Sequence, residues 1–313
     1  MRVGLLGPPG RAEIVRLAIR LEERGVEPVV LDPAEDPRPR VDGDRIQALG
    51  HDLGDLAGLY VADLGIRSPW RRAPGGGVDL PASRRALAAS RRHLAAWNTI
   101  LLLLQRRGTR VVNPPRAHDL HALKPFEIDA CSRRGIPVPW TLATSDPEAL
   151  ASLAGRPGEW ITKGMVGGYG YTERFVPPAG AGSARGRLAA GPRMVQERVR
   201  GTDVRAFVVG GRVVAAAEIT ASDAVDSRRG TTRVRGIDVP EEAARIAREA
   251  AALWGMPFCA VDFVREEGTG RYVLLECNSA PFFVAFERRA GRDVSGPLAD
   301  FLCGRGRDEG GPA

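Results

Sequence analysis

The last third of the chain carries dense strand signals that leave few folds open. Residues 204–209 and 212–219 are apolar runs on either side of Gly210-Gly211, and residues 258–264 and 271–277 flank Gly268-Thr-Gly270. Glycine turns of this kind supply the positive φ angles of tight hairpins, and the flanking runs are rich in Val, Ile and Phe. Two antiparallel hairpins are therefore predicted, with a helix over residues 240–254 between them. A helical bundle or an all-parallel sheet is excluded for this segment.

Acids interrupt the second hairpin. Asp262 and Glu276 stand where a core strand carries apolar side chains. A turn centred on Thr269 sets them opposite one another, with Cβ atoms about 4.5–5.5 Å apart. Facing carboxylates repel unless a cation joins them. Strand alternation puts Asn278 on the Glu276 face. Two carboxylates and an amide oxygen make a hard donor set suited to Mg²⁺ that bridges nucleotide phosphates. Acids at solvated strand positions are the plain alternative.

The first 113 residues alternate between the two periods. Strands are predicted over residues 2–6, 26–31, 59–64 and 110–113. Helices are predicted over 11–24, with Ile14, Leu17, Ala18 and Leu21 on one face, and over 83–107; residues 65–82 read as a loop. This alternation predicts a small parallel sheet. The turn Gly4-Leu-Leu-Gly-Pro-Pro-Gly10 is not a GxGxxG phosphate loop, and its prolines lack the N–H donors a phosphate needs.

The middle segment opens with a helix over 124–131, followed by an extended stretch over 135–142 and a short helix from Asp146. A strand over 159–163, a glycine loop and a strand over 172–176 come next; residues 177–192, rich in Gly, Ala and Pro, read as mobile. A last helix is predicted over 294–303. The domains are thus 1–113, 114–192 and 193–304, with a tail over 305–313.

Composition excludes several classes. With 313 residues, 43% hydrophobic and 27% charged, the chain has the balance of a folded protein and exceeds a single-core size. The four cysteines, Cys131, Cys259, Cys277 and Cys303, form no CxxC pair, so a zinc ribbon or redox dithiol is not expected. No run approaches a membrane span and no signal segment opens the chain, so a cytoplasmic location is expected and a membrane partner is not. The net charge of +7 comes with 38 acids mixed among the arginines. Without a basic stripe interleaved with aromatics, nucleic acid is not an expected partner.

Of 45 basic residues only Lys124 and Lys163 are lysines. Arginine serves for solubility, but it does not replace a compact ammonium where a phosphate oxygen sits in a confined site. Lys163 ends a strand and precedes Gly164, Gly167, Gly168 and Gly170. Glycines let backbone N–H groups approach phosphate oxygens, so this β-loop-β unit reads as a lid over a triphosphate, or else as an ordinary hairpin with a surface lysine. In Gln196-Glu-Arg-Val199 a strand edge offers backbone groups to an adenine. In Gly201-Thr-Asp-Val-Arg205, Asp203 can accept from a ribose hydroxyl and Arg205 can pair with a phosphate; taken alone, the stretch reads more simply as an ordinary strand and turn.

The order of these parts is more specific than any one of them. A lysine, a second lysine with a glycine loop, QExV, GxDxR, a strand aspartate and ExN together resemble the ATP-grasp superfamily. Within it, the chain is most similar to RimK-type and glutathione-synthetase-like carboxylate–amine ligases. The resemblance covers residues 110–303 and implies an N-terminal α/β domain, a small central domain and a C-terminal antiparallel-sheet domain, an α/β (α+β) fold. It implies ATP held by Lys124, Lys163, Gly167, Gly168, Gly170, Gln196, Glu197, Val199 and Asp203. Two Mg²⁺ ions would sit on Asp262, Glu276 and Asn278.

The segments Pro137-Val-Pro-Trp-Thr-Leu-Ala-Thr-Ser-Asp-Pro147 and Asp226-Ser-Arg228 are further similar to graspetide maturases, which crosslink ribosomal peptides through side-chain esters and amides. That likeness assigns Arg228 to a substrate carboxylate or an acyl phosphate. The stretch Ser279-Ala-Pro-Phe-Phe283 departs from it and implies a more apolar acceptor pocket. The implied reaction is attack of a carboxylate on the γ-phosphate of ATP, then displacement of phosphate by an amine or hydroxyl, with Arg205 and Arg228 stabilising transferred charge. The substrate is a peptide or small molecule, and a homo-oligomer stays open. His51, His93, His118 and His121 all precede Lys124 and supply no evident base. A nucleotide-binding module without turnover is the rival reading.

Overall fold

In a computed structural model, all residues are described except 36–37, 44, 67, 121–122, 167–170, 190, 222–231 and 306–313. The chain forms two compact units. The first comprises residues 1–115, 282–284 and 294–313, and the second 116–281 and 285–293.

The first unit begins β1 (Arg2–Leu6), α1 (Ala12–Glu22) and β2 (Glu27–Leu31), continues through a small meander of β3 (Arg40–Asp42), β4 (Arg45–Ala48) and β5 (His51–Asp52), and goes on to β6 (Leu56–Val61), α2 (Leu80–Arg106) and β7 (Arg110–Val112). The order β2-β1-β6-β7, with parallel pairs throughout, is the small parallel sheet predicted. Asp79 starts α2 by accepting the Ala82 N–H at 2.9 Å, a cap of about 1 kcal/mol. Trp97, Ile100 and Leu104 of α2 join Leu6, Leu31, Leu59 and Val61 in one core. Gly58 admits no side chain, since a Cβ there would lie 2.5 Å from the Leu302 carbonyl oxygen.

The second unit starts with α3 (Pro115–Asp119) and α4 (Lys124–Arg133), then β8 (Thr141–Thr144), α5 (Pro147–Ala151), β9 (Trp160–Lys163), β10 (Glu173–Phe175), α6 (Ala181–Leu188) and β11 (Arg193–Glu197). Four strands make an antiparallel sheet in the order β10-β9-β11-β8. It is held by Leu150, Leu153, Trp160, Phe175, Ala184 and Val195. Residues 177–192 are therefore not a mobile connection throughout: α6 forms because buried Ala184 packs into that core.

The unit continues with β12 (Gly201–Val209), β13 (Arg212–Ala221), β14 (Thr232–Gly236), α7 (Glu241–Leu253), β15 (Phe258–Glu266), β16 (Tyr272–Asn278) and α8 (Val284–Ala290), and α9 (Ser295–Leu302) belongs to the first unit. Five strands pair antiparallel in the order β14-β13-β12-β15-β16. One face is apolar: Val204, Ala206, Val208, Val261, Phe263, Leu274 and Cys277 pack with Ala243, Ile246, Ala247 and Ala250 of α7.

Three readings need correction. The strand predicted over 59–64 runs Leu56–Val61, because the parallel pairing with β1 starts at Leu56. The meander β3–β5 was not foreseen; of its residues Ile46 and Ala48 are the buried apolar ones, too thin a pattern to signal a strand. The strand β11 lies inside its sheet rather than at an edge.

Candidate functional site

The opposite face of the five-stranded sheet carries a row of charges beside buried Phe207, Phe258 and Ala260. Arg205 on β12 faces Asp262 on β15, and Asp262 faces Glu276 on β16, as the turn position predicted. Arg205 donates to both carboxylate oxygens of Asp262, at 2.6 and 2.8 Å. This bidentate fork is the strongest geometry open to such a pair. Asp262 in turn raises the guanidinium above its ordinary value. Gly201 opens β12 against β15, where a Cβ would lie 2.0 Å from the Arg265 carbonyl oxygen. The glycine of GxDxR thus permits the close strand pairing that aligns Arg205 with Asp262.

Glu276 is met from the other side by α4. The helix begins at Lys124 with Pro125 in its first turn, where a missing N–H is no loss. Lys124 Nζ donates to Glu276 Oε2 at 2.5 Å. Burial pushes the Glu276 carboxyl up, but Lys124 and Lys163 more than reverse this and hold it below the ordinary carboxylate value. Lys163 ends β9, paired with Met194 of β11. Burial lowers its ammonium below the ordinary value, with Glu276 pulling it upward and Lys124 downward. The two lysines of the chain therefore act on one carboxylate.

A β-bulge between Asp262 and Phe263 sets the order of β16. Phe263 pairs with Leu274 and Asp262 with Glu276, so Leu275 is the extra residue. Leu274 and Cys277 both reach the apolar core, while Glu276 and Asn278 stay on the polar side. Asn278 Oδ1 accepts the Ala280 N–H at 3.1 Å.

The sequence reading missed one residue here. Glu127, one helical turn after Lys124, is only 2% exposed. Its Oε1 accepts the Cys277 N–H at 2.5 Å. Burial pushes its carboxyl up to about 7, partly offset by that N–H and reinforced by Glu276. Leu120, Lys124, Glu127, Glu276, Cys277 and Asn278 line one pocket. The spacing of three on a helix was the available signal, since positions 124 and 127 share a face.

Other predicted residues lie differently. Gln196 is fully buried in β11, and its Nε2 donates to Thr141 Oγ1 at 2.9 Å. Glu197 points outward while its N–H donates to the Trp140 carbonyl at 2.9 Å. Val199 lies in the link to β12, and Asp203 lies on β12, opposite Val264. Gly167, Gly168, Gly170 and Arg228 lie outside the described residues. The predicted β-loop-β unit is present, since β9 and β10 pair antiparallel. In the segment that departs from the maturases, Phe283 is buried, whereas Phe282 is 65% exposed beneath the Arg11 guanidinium at 4.6 Å.

The donor set fits a hard cation. Asp262, Glu276 and Asn278 offer oxygens from adjacent strands. Among the described residues no group of three His, Cys, Asp or Glu side chains is set to hold a metal alone. An ion here would thus complete its shell from phosphate or water, as Mg²⁺ does. Among the described residues no helix is long and apolar enough to cross a membrane.

Residues 194–302 match the RimK-like ATP-grasp domain family. A probable alpha-L-glutamate ligase of Teredinibacter turnerae is 28% identical over 207 residues, 62% of this chain and 67% of its own length. The ATP-grasp ligase PsnB, solved with a minimal precursor, Mg and ADP, superposes with a TM-score of 0.81 at 30% identity, over 96% of each chain. The macrocyclase MdnC from Microcystis aeruginosa, bound with its precursor peptide MdnA, gives 0.77 at 18% identity over 96% of this chain and 99% of its own, a likeness of fold alone.

Proposed function

This chain belongs to the ATP-grasp ligases, and from that premise we propose that it is a macrocyclase joining side chains of a precursor peptide through esters or amides. One observation carries the choice of substrate: the likeness to PsnB in complex with a precursor runs over 96% of the chain at 30% identity, whereas the matches to glutamate ligases are 25–30% identical over 56–82% of it. Addition of glutamate to a peptide or small molecule is the second reading, favoured by those curated relatives. The paired lysines and carboxylates argue against a module that binds ATP without turnover.

ATP supplies the phosphoryl group that turns a carboxylate into an acylating acyl phosphate, and Mg²⁺ neutralises charge on the phosphates. In this reading Asp262, Glu276 and Asn278 hold two ions. Lys124 and Arg205, which neutralise those carboxylates in this structure, would hold phosphate oxygens where ions take over that charge. Lys163, with Gly167, Gly168 and Gly170, covers the phosphates and excludes water. Main-chain groups of Glu197 and Val199 would meet the adenine, and Asp203 would accept from the ribose. Gln196, paired on both sides within its sheet and with its side chain engaged by Thr141, would hold that link in place. Arg228 orients the substrate carboxylate. The domain divisions at residues 113, 192 and 304 remain part of this proposal.

Phosphate release tests it, measured with ATP, Mg²⁺ and a panel of glutamate-rich peptides, free amino acids and any short peptide encoded beside this chain. The expected result is release with one peptide, product mass lower by one water per crosslink, and loss of both in Lys163→Arg. A product heavier by a glutamyl residue would establish the second reading instead.

A further inference from the structure

We propose that Glu127 is a positioning residue for the metal-binding pair Glu276 and Asn278, acting through the main chain of Cys277. The inference rests on the assignment of those two residues to Mg²⁺. It starts from the place of β16 at the edge of its sheet. An edge strand turns part of its N–H groups away from its neighbour, and a buried one needs an acceptor. The bulge at Leu275 sends Leu274 and Cys277 into the core together. Both have their N–H groups satisfied from outside the sheet. The Leu274 N–H donates to the Pro137 carbonyl at 2.8 Å, and the Cys277 N–H donates to Glu127 Oε1 at 2.5 Å.

Cys277 lies between the two candidate ligands, so whatever fixes its peptide fixes the direction of both. The helix α4 grips this point twice from one face: Lys124 takes the Glu276 side chain and Glu127 the following N–H. The bond is sheltered, since Glu127 and Cys277 are both buried. Partners that orient metal ligands commonly change metal affinity about 10–100-fold when lost.

Two conservative variants separate reach from charge. Glu127→Gln keeps the acceptor oxygen at full reach and loses the charge; Glu127→Asp keeps the charge and shortens the reach by one methylene. Mn²⁺ binding to the full chain with saturating ADP is read by the electron paramagnetic resonance of free Mn²⁺, alongside binding of ADP without metal. The expected result is Mn²⁺ affinity near wild type in Glu127→Gln and about 10-fold weaker in Glu127→Asp, with metal-free ADP binding unchanged in both. The reverse order, or equal losses, would overturn the proposal. Glu276→Gln serves as the reference. If it too leaves Mn²⁺ binding intact, the assignment of the metal site fails; if it weakens binding while Glu127→Asp does not, the positioning role alone fails.

Discussion

The two faces of the five-stranded sheet are built from alternate residues of the same strands. On β12, Val204, Ala206 and Val208 go to the α7 core, while Arg205 between them goes to Asp262. On β15, Val261 and Phe263 are core and Asp262 between them is not. The difference teaches how the site gets its rigidity. The apolar face determines the register, and the register together with the bulge at Leu275 brings Arg205, Asp262 and Glu276 into one row. A slip of one residue would bury all three charges and expose the core, so the hydrophobic face specifies the polar one.

Mutations can break one face without the other. The largest effect is expected on the polar face: Asp262→Asn should lower kcat of phosphate release about 10²–10³-fold, and its loss of the charged Arg205 fork should also cost about 1–3 kcal/mol in urea unfolding. Next comes the core face. Phe263 packs edge-on against Tyr272 at 6.0 Å between centroids; Phe263→Ala should cost about 3–5 kcal/mol of stability in urea unfolding, with the folded fraction still active.

Smaller again is a pH effect at Glu127, which touches both faces through Cys277. Its folded pKa is raised to about 7, so the native state holds its proton where the unfolded chain has released it. Stability is therefore greatest below the ordinary carboxylate range, falls as pH rises to about 7 and levels off above. The fall is of the order of 3 kcal/mol at most. Urea unfolding across pH 4–8 should show it in the wild type and not in Glu127→Gln. The smallest effect lies on the solvent side of α7. Arg245 pairs with Glu249 one turn on at 2.8 Å, and Arg245→Ala should change stability by about 0.3–0.5 kcal/mol.

The sequence made the hairpins legible because two independent signals agree there: glycines at the turns and apolar runs beside them. Asp262 opposite Glu276 was expected from a turn centred on Thr269 and is the pairing found, set there by the bulge at Leu275. The bulge at Leu275 was not legible, since nothing in Val273-Leu-Leu-Glu276 marks which leucine is extra. Lys124 and Lys163 stood out by rarity, and both act on Glu276. Glu127 did not stand out, because a glutamate on a short helix is ordinarily solvated; only the packing of α4 on β16 buries it. Gln196 was read for its backbone, and nothing local signalled that Thr141 would hold its side chain. For β3–β5 and α6, few apolar residues or a glycine-rich composition hid elements that tertiary packing stabilises.

The central claim is that Asp262, Glu276 and Asn278 form the metal site of an ATP-dependent ligase. It is tested most directly by a crystal structure grown with ADP and Mn²⁺, with data collected at the manganese edge. The account predicts anomalous density bounded by these three side chains, with Lys124 and Arg205 turned toward the phosphates. Nucleotide bound on this face with manganese elsewhere, and with the Lys124–Glu276 and Arg205–Asp262 pairs intact, would contradict it.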